Sequence, residues 1–224
     1  MKLQSANNGF EIDLVEQSFK IGHDELKLYR VKNLDELIDQ IDDEQFNHDE
    51  RMPYWAELWP SAIGLARYLN ENPHIIHKKK VLELGCGLGL TSMVIGDCEP
   101  EQFLATDYEQ DALDITTKNF LLNEKKPPRL KLLDWRAPDL EQKFEVIVAA
   151  DILYERRFFL HLRRLFRNYL ERQGSVILAE PGRPIAQNFF DMLRQAGFVC
   201  ITRTMEVQQA NYKIAVKISR IHKK

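Results

Sequence analysis

The chain has 224 residues, a length that suits one domain with a complete hydrophobic core. Its composition, 44% hydrophobic and 29% charged, is typical of a globular protein, and no apolar run approaches the ~20 residues of a membrane-spanning helix. A formal net charge of −3 provides no general attraction to nucleic acid, so we expect neither a membrane protein nor a nucleic-acid partner.

The sequence also predicts the cellular location of the protein and the redox state of its cysteines. The amino-terminal segment lacks the apolar core of a signal peptide, which favours a cytoplasmic protein. Three widely spaced cysteines, Cys86, Cys98 and Cys200, argue against a disulfide framework or a zinc site. We expect reduced thiols in the core and no metal.

The first 50 residues read as an extension ahead of the main domain. Residues 10–15 and 26–31 alternate apolar and polar side chains on either side of Gly22-His23-Asp24, which predicts a β-hairpin. Asn33 is a candidate N-cap of a short helix that reaches Ile41. The acidic residues 42–50 that follow are typical of a solvated loop.

An aromatic segment with one carboxylate lies between Pro53 and Pro60, and a helix is predicted from Ala62 to Leu69 with Ser61 as its N-cap. Such a segment either packs in a core or touches a ligand, and both interpretations stay open; the carboxylate needs a partner or water in either case. Its aromatic and acidic residues are Tyr54, Trp55, Glu57 and Trp59.

A glycine turn follows the strand of residues 81–84. Gly85, Gly87 and Gly89 precede an apolar helical pattern, which predicts a strand, a tight turn and a helix whose N-terminal N–H groups face a ligand. The dinucleotide fingerprint would place its third glycine at position 90, which is Leu90. A βα turn without a ligand is the simpler alternative.

The alternation of strand and helix then repeats, with strands at 102–106 and 130–133 and a helix at 110–123, which predicts a parallel sheet. The second strand ends in Asp107, which lies 24 positions after Glu83 and suits a bond to ribose hydroxyls. Asp107 as a helix cap is the alternative, and a ribose occurs in both nicotinamide and S-adenosyl cofactors.

Polar and aromatic residues also follow the next two strands. Asp134 and Trp135 end the third, where a base could be hydrogen-bonded and stacked, although Trp135 could equally serve packing alone. The apolar strand 144–150 ends in Asp151, three residues before Tyr154, a spacing at which both side chains can face one cavity at the carboxyl ends of the central strands. A structural Asp cap with a buried Tyr is the alternative.

The rest of the chain predicts a basic amphipathic helix at 156–172, a strand at 175–179 and a helix at 185–195 that Gly197 stops. The arginines of the basic helix form either a solvated face or a binding patch. Residues 198–203 and 212–218 predict a closing antiparallel hairpin.

These elements and the Glu-x-Gly-x-Gly-x-Gly segment resemble the class I S-adenosylmethionine-dependent methyltransferases. The resemblance implies an α/β fold with a Rossmann-like, doubly wound sheet of seven strands, mostly parallel, that ends in a C-terminal antiparallel hairpin. It covers residues 51–224 as one compact domain, with residues 1–50 as an N-terminal hairpin and helix extension.

A narrower resemblance is to the seven-β-strand protein-lysine methyltransferases, the nicotinamide N-methyltransferase-like group and its electron-transfer-flavoprotein β-subunit branch. The tryptophan-rich segment of residues 53–60 and Asp151-x-x-Tyr154 are similar to that family. The resemblance implies that Asp151 and Tyr154 orient the accepting nitrogen and that Trp59 and Glu57 lie on the substrate side. It also implies these cofactor-binding residues: Trp55, Glu83, Gly85, Cys86, Gly87, Gly89, Asp107, Tyr108, Asp134, Trp135 and Ala150.

The implied reaction methylates a lysine of a protein substrate with S-adenosylmethionine, and the product is S-adenosylhomocysteine. Methyl transfer from a sulfonium is an in-line displacement that needs no metal, so positioning supplies most of the catalysis. A lysine with a reference pKa of about 10.4 must first lose a proton, which a carboxylate opposes. Asp151 is therefore better suited to capturing the amine than to acting as a strong base.

Four alternatives remain. A nicotinamide dehydrogenase requires a different glycine spacing, and a non-catalytic binding module would retain cofactor without turnover. A nucleic-acid methyltransferase would show prolines that Asp151-Ile152-Leu153-Tyr154 lacks. A small-molecule N-methyltransferase is the main competitor, because loops shape the acceptor groove. The acceptor, the number of methyl groups and the oligomeric state stay open.

Overall fold

The computed structural model describes residues 1–6, 9–39, 52–209 and 212–224. No helix in these ranges is long and apolar enough to cross a membrane. The strands are β1 (Lys2–Gln4), β2 (Glu11–Ile21), β3 (Asp24–Val31), β4 (Lys80–Leu84), β5 (Gln102–Asp107), β6 (Arg129–Leu132), β7 (Phe144–Ala150), β8 (Leu170–Glu180), β9 (Phe198–Gln209) and β10 (Tyr212–Lys223). The helices are α1 (Leu34–Asp39), α2 (Pro60–Glu71), α3 (Leu90–Asp97), α4 (Gln110–Leu122), α5 (Phe159–Tyr169) and α6 (Pro184–Gln195).

The main sheet has seven strands in the order β6-β5-β4-β7-β8-β10-β9. Strands β4 to β8 are parallel, and β10 runs antiparallel to both of its neighbours. The predicted doubly wound sheet with a closing hairpin is therefore confirmed. Its strand order reverses between β4 and β7, and in such sheets a ligand crevice opens at the carboxyl ends on either side of that point.

Helices cover both faces of this sheet because successive side chains of its central strands point to opposite sides. Val81 and Val148 pack in the core cluster that contains α2, α3 and α4. Leu82 and Ala149 pack in the cluster that contains α5 and α6. The central strands are thus mainly apolar, with Glu83 and Thr106 as buried polar exceptions, and most of the polar chemistry lies at the strand ends.

The N-terminal extension is a three-stranded antiparallel sheet in the order β1-β2-β3. The predicted hairpin is present, but the prediction missed β1, whose three residues are too few to show an alternation. Leu28 of β3 is fully buried in the same core cluster as α2 to α4. The predicted boundary between residues 50 and 51 lies outside the described residues and stays a prediction, as does the acidic loop.

The predicted cap at Ser61 is wrong. Helix α2 begins at Pro60, whose missing N–H suits the first helical position, and Trp59 is the N-cap. The Ser61 hydroxyl is buried and has no hydrogen-bond partner among the described residues. Asn33, in contrast, accepts hydrogen bonds from the backbone N–H groups of Asp35 and Glu36, which confirms it as a cap.

The predicted basic helix is shorter than its pattern suggested. It ends at Tyr169, because the next residue, Leu170, is fully buried and pairs with Phe144 of β7 at the start of β8. The predicted apolar face is confirmed, since Phe159, Leu162, Leu165 and Phe166 are all buried.

Candidate active site

A cleft lies at the carboxyl ends of β4, β5 and β7, on the side where the strand order reverses. It encloses about 1030 Å³ of space, its open mouth included. The predicted site residues that line it are Trp55, Glu57, Trp59, Gly85, Cys86, Gly87, Gly89, Asp107, Tyr108, Trp135, Ala150, Asp151 and Tyr154.

The glycine turn forms one wall of the cleft. Gly85, Gly87 and Gly89 have φ angles of 72°, 52° and 82°, in the left-handed region that glycine favours. The backbone N–H of Gly87 donates to Asp107 Oδ2 at 3.0 Å, so the turn is tied to the end of β5. The first turn of α3 begins at Leu90 and leaves its N–H groups without intrahelical partners.

Two side chains of α4 hold this turn from behind. Thr116 Oγ1 donates to the Gly87 carbonyl at 2.9 Å, and Asn119 Nδ2 donates to the Leu88 carbonyl at 2.8 Å. Neither residue is among the site residues predicted from the sequence. Their signal is two polar positions three residues apart, and therefore on one face of a helix that is otherwise buried on that side.

Gly89→Ala is expected to destabilise the fold by about 2–4 kcal/mol, because it combines left-handed strain with overpacking. A Cβ at Gly89 would lie 3.0 Å from two side-chain atoms of Thr116. Gly197→Ala is the matched control, since Gly197 has a φ of 86° but nothing within 4 Å of its Cβ position. Urea unfolding of both variants measures the difference, and equal losses would contradict the role of the Thr116 contact.

Two of the predicted cofactor residues, Glu83 and Asp134, do not line the cleft. The Glu83 carboxylate is buried and accepts a hydrogen bond from the Ser92 hydroxyl of α3. Burial raises the pKa of Glu83 to about 8. Asp134 pairs with Arg136, whose Nη2 lies 2.8 Å from its Oδ2. Contact of either carboxylate with a cofactor stays a prediction.

Asp107 and Trp135 present polar atoms in the inner part of the cleft. Asp107 is buried, which raises its pKa, while backbone N–H groups that include that of Gly87 act in the opposite direction. The indole Nε1 of Trp135 is buried and has no hydrogen-bond partner in the described part of the chain. A buried donor without a partner is costly, and this one belongs to a side chain in a cleft wall.

Asp151 has an unusual backbone and side-chain environment. Its φ is 59°, and its backbone N–H donates to the Ala179 carbonyl of β8 at 2.8 Å. Asp151 Oδ1 forms an ion pair with Arg183 Nη1, whereas Oδ2 is buried and finds no partner among the residues described. The sequence analysis missed Arg183, which lies 32 positions further along the chain.

Five aromatic rings, which we call the aromatic row, lie in sequence along the cleft. The ring centroids of Trp59 and Tyr54 are 6.3 Å apart, and those of Tyr54 and Tyr154 are 5.0 Å apart. Tyr154 is 6.2 Å from Phe158, which is 5.5 Å from Trp135. Burial is the main cause of a raised pKa at Tyr154, so its hydroxyl stays protonated and able to donate a hydrogen bond.

Glu57 has the partner that the sequence analysis required. Its Oε1 lies 2.7 Å from Arg30 Nη2, an atom of the N-terminal sheet. Within the described ranges, no group of three or more His, Cys, Asp or Glu side chains is arranged to hold a metal ion. Asp151, Asp107, Trp135 and Tyr154 are polar or hydrogen-bonding residues that line the cleft.

Comparison with known families adds to this geometry. A family described as lysine methyltransferase matches residues 41–196, which include the glycine turn and Asp151. This chain belongs to the lysine methyltransferase family. The match also covers the aromatic row and ends at α6.

Three curated relatives illustrate what this lysine methyltransferase family member is similar to. The electron transfer flavoprotein beta subunit lysine methyltransferase of Mus musculus is 34% identical over 134 residues, which cover 59% of this chain and 52% of the relative. The protein-lysine N-methyltransferase EEF2KMT of Homo sapiens is 33% identical over 43% of this chain and 34% of its own length. A histidine protein methyltransferase 1 homolog of Dictyostelium discoideum is 34% identical over 55% and 41%.

The chain spans about half the length of the electron transfer flavoprotein relatives that it matches. Among solved structures, the ribosomal protein L11 methylase of Lactobacillus delbrueckii has a TM-score of 0.56 at 20% identity and covers 71% of this chain and 77% of its own. Magnesium protoporphyrin IX methyltransferase of Synechocystis with bound SAM has a TM-score of 0.55 at 15% identity, with coverages of 82% and 85%. At these identities the likeness concerns the fold.

Proposed function

We propose that this protein transfers a methyl group from S-adenosylmethionine to a lysine side chain of a protein substrate. The observation that carries the proposal is the position of Asp151. In a chain of the lysine methyltransferase family, this buried carboxylate lines the same cleft as the glycine turn and the aromatic row. Cofactor and amine would therefore meet in one cavity.

The residues of the inner cleft suit an adenosyl cofactor. The glycine turn and the first turn of α3 offer a close backbone approach, Asp107 offers a carboxylate for ribose hydroxyls, and the unpartnered Nε1 of Trp135 offers a donor. S-adenosylmethionine would supply an electrophilic methyl group on a sulfonium sulfur. Trp55, Cys86, Tyr108 and Ala150 complete the proposed binding surface, and we assign no role to a metal.

The outer cleft suits a lysine side chain. Its methylene groups would pack along the aromatic row, which excludes water, and its nitrogen would lie near Asp151 and Tyr154. An ammonium group has no lone pair, so the amine must release a proton to water before it attacks. Removal from water in an aromatic channel favours the neutral amine. The Tyr154 oxygen would then fix the orientation of the nitrogen by accepting a hydrogen bond from one of its N–H groups, which leaves the lone pair free to attack the methyl group.

The N-terminal sheet is expected to affect cofactor binding through Asn119. This side chain accepts the Tyr29 N–H at 2.6 Å and donates to the Leu88 carbonyl of the glycine turn, so it joins β3 to the cofactor side of the cleft. We expect Asn119→Ala to weaken S-adenosylhomocysteine binding about tenfold, because a turn without this support loses its preorganised geometry.

Asn123→Ala is the matched control for this prediction. Asn123 makes the same type of paired hydrogen bonds to β3, with the N–H and carbonyl of Lys27. The other hydrogen bonds of its side chain in the described part of the chain are with Met93 Sδ and the Asn119 carbonyl, and not with the glycine turn. Isothermal titration calorimetry of both variants measures the effect. Equal affinities in Asn119→Ala and the unmodified protein would contradict the proposed link.

The substrate class is the finer part of the proposal. Relatives named for the electron transfer flavoprotein beta subunit make that protein the first candidate acceptor. Because another relative is named as a histidine protein methyltransferase, the type of side chain that is methylated, lysine or histidine, must also be tested. A small-molecule N-methyltransferase and a non-catalytic binding module are the competing functions. A cytoplasmic location stays a prediction.

The test is transfer of labelled methyl from S-adenosylmethionine into a lysate of source cells that lack this gene. We expect a discrete labelled protein band whose appearance requires active enzyme. We also expect that a lysine-directed protease no longer cleaves the labelled protein at the modified site. Label confined to small molecules would favour the small-molecule enzyme. Absence of label in a preparation that binds S-adenosylhomocysteine would favour the binding module.

A further inference from the structure

Asp151 forms an ion pair with Arg183 at the cleft, and the proposed function assigns no role to Arg183. The ion pair is built from two strand ends that lie side by side, because β7 pairs with β8 in parallel. Asp151 follows β7 directly, and its backbone N–H is held by the Ala179 carbonyl of β8 at 2.8 Å. Its side chain is about 5% exposed, whereas that of Arg183 is 28% exposed.

Arg183 is itself held in place by the turn that follows β8. The buried Glu180 accepts the backbone N–H groups of Gly182 and Arg183 at 2.6 Å and 2.9 Å. Gly182 has a φ of 85°, and Arg183 is the N-cap of α6. Both partners of the ion pair are thus fixed through their backbones to one strand end, which keeps the pair in a single geometry.

We propose that Arg183 is a positioning residue that holds the Asp151 carboxylate through Oδ1 and neutralises it, so that Asp151 captures the acceptor amine without locking it in its protonated form. The inference rests on the proposed function. It resolves a conflict in that function, because an unpaired carboxylate in a buried site favours the ammonium form of a neighbouring lysine. With a reference pKa of about 10.4, only about one free lysine in a thousand is neutral near pH 7.5. Each unit by which a nearby carboxylate raises the lysine pKa lowers that neutral fraction a further tenfold.

Other charged and titratable groups also lie near the acceptor, and two of the carboxylates among them form ion pairs with arginines. Glu57 pairs with Arg30, and Glu155 pairs with Arg157. Near Arg183, a Cβ on Gly182 would lie 3.7 Å from Lys217 Nζ, so a second cation adjoins the turn. The remaining titratable groups that line the cleft are Tyr54, Cys86, Asp107, Tyr108, Glu109 and Tyr154.

The experiment measures kcat and KM between pH 7 and 9.5 for the unmethylated form of the acceptor protein that the labelling of the lysate identifies. The neutral variants are Arg183→Met and Arg183→Gln, and Arg183→Lys retains the charge. Arg194→Met is the control, because Arg194 pairs with Asp191 on the exposed face of the same helix. Affinity for S-adenosylhomocysteine and thermal unfolding verify that each variant is folded.

Both neutral variants are expected to shift the acid limb of the kcat profile upward by about one pH unit. Their kcat would be about tenfold lower at pH 7.5 and would approach that of the unmodified protein at high pH, with KM for the acceptor unchanged or lower. Arg183→Lys and Arg194→Met are expected to retain the original profile. The double variant Asp151→Asn, Arg183→Met, which contains neither charge, is expected to return the acid limb to its original position.

A loss by the same factor at every pH, or an unchanged profile in a folded neutral variant, would overturn the inference and leave the proposed function intact. Failure of both neutral variants to fold would make the pair structural and would also overturn it. An unmodified protein that methylates no lysine in any acceptor would instead defeat the proposed function. The two failures are therefore distinguishable.

Discussion

Asp151→Asn is expected to lower kcat/KM for the acceptor by at least about 100-fold, with S-adenosylhomocysteine affinity changed no more than threefold. The expected size of this loss in kcat/KM follows from the role of Asp151, since misplacement of a reacting group by about 1 Å already lowers the rate about 100-fold. Asparagine is the informative replacement. It preserves the volume and tolerates the φ of 59°, whereas alanine would add backbone strain to the loss of charge.

The control for this variant is Asp191→Asn, which also removes the carboxylate of an arginine ion pair but on an exposed surface of α6. Surface ion pairs contribute little, so the control is expected to retain full activity and stability. Steady-state kinetics of the two variants side by side measure the effect. A full methylation rate in Asp151→Asn with intact cofactor affinity would remove Asp151 from the mechanism.

The free energy of unfolding is expected to fall as the pH rises from about 4.5 to about 8, because of Glu83. Its carboxyl is buried in the folded protein and has a pKa of about 8, against an ordinary value of 4.5. Within this window the folded state binds a proton that the unfolded state has released, so stability decreases with pH. One pH unit corresponds to about 1.4 kcal/mol, and the loss attributable to Glu83 is at most about 5 kcal/mol over the window.

Glu83→Gln tests this directly, since glutamine is neutral at every pH and retains the side-chain shape. The stability of the variant relative to the unmodified protein is expected to improve between pH 5 and pH 8 in urea unfolding. Glu145→Gln is the control. Its hydrogen bond with Lys79 lowers the pKa of Glu145, so the contribution of Glu145 to stability is fully present above about pH 4.5 and is lost only below it. The effect of Glu145→Gln on the free energy of unfolding is therefore expected to be the same at pH 5 and pH 8. If Glu83→Gln changed the free energy of unfolding by the same amount at pH 5 and pH 8, the raised pKa of Glu83 would be contradicted.

Much of the central architecture was predictable because its physics is local in sequence. The strands that form the middle of the sheet are buried on both faces and are therefore continuous apolar runs. Gly85, Gly87 and Gly89 mark a turn that needs left-handed backbone angles, and all three adopt them. Asp107 is the last residue of β5 and Asp151 follows β7 directly, so parallel pairing alone brings them to the same edge of the sheet.

The contacts that organise the cleft were not predictable, because each joins distant parts of the chain. Asp151 and Arg183 meet only because β7 and β8 are neighbours, and the ion pair spans 32 positions. Asn119 meets Tyr29 across 90 positions, through the packing of α4 on the N-terminal sheet. No periodicity in either segment encodes its partner.

Boundaries of elements were the other source of error, and for a definable reason. Leu170 continues the apolar period of α5, and Glu171 and Arg172 are charged residues that a helix also accepts, so the sequence pattern does not mark where the helix ends and β8 begins. At Ser61 the composition favours a cap, but Pro60 already occupies the first helical position. Tertiary pairing and the missing N–H of proline determine these ends.

The most direct test of the account is tandem mass spectrometry of the acceptor protein after reaction with S-adenosylmethionine and the purified enzyme. We expect methyl groups on a lysine Nζ, formed by the unmodified protein and lost in Asp151→Asn. Methyl groups on a histidine ring nitrogen, or equal lysine methylation by Asp151→Asn, would contradict the assignment of this cleft as a lysine methyltransferase site.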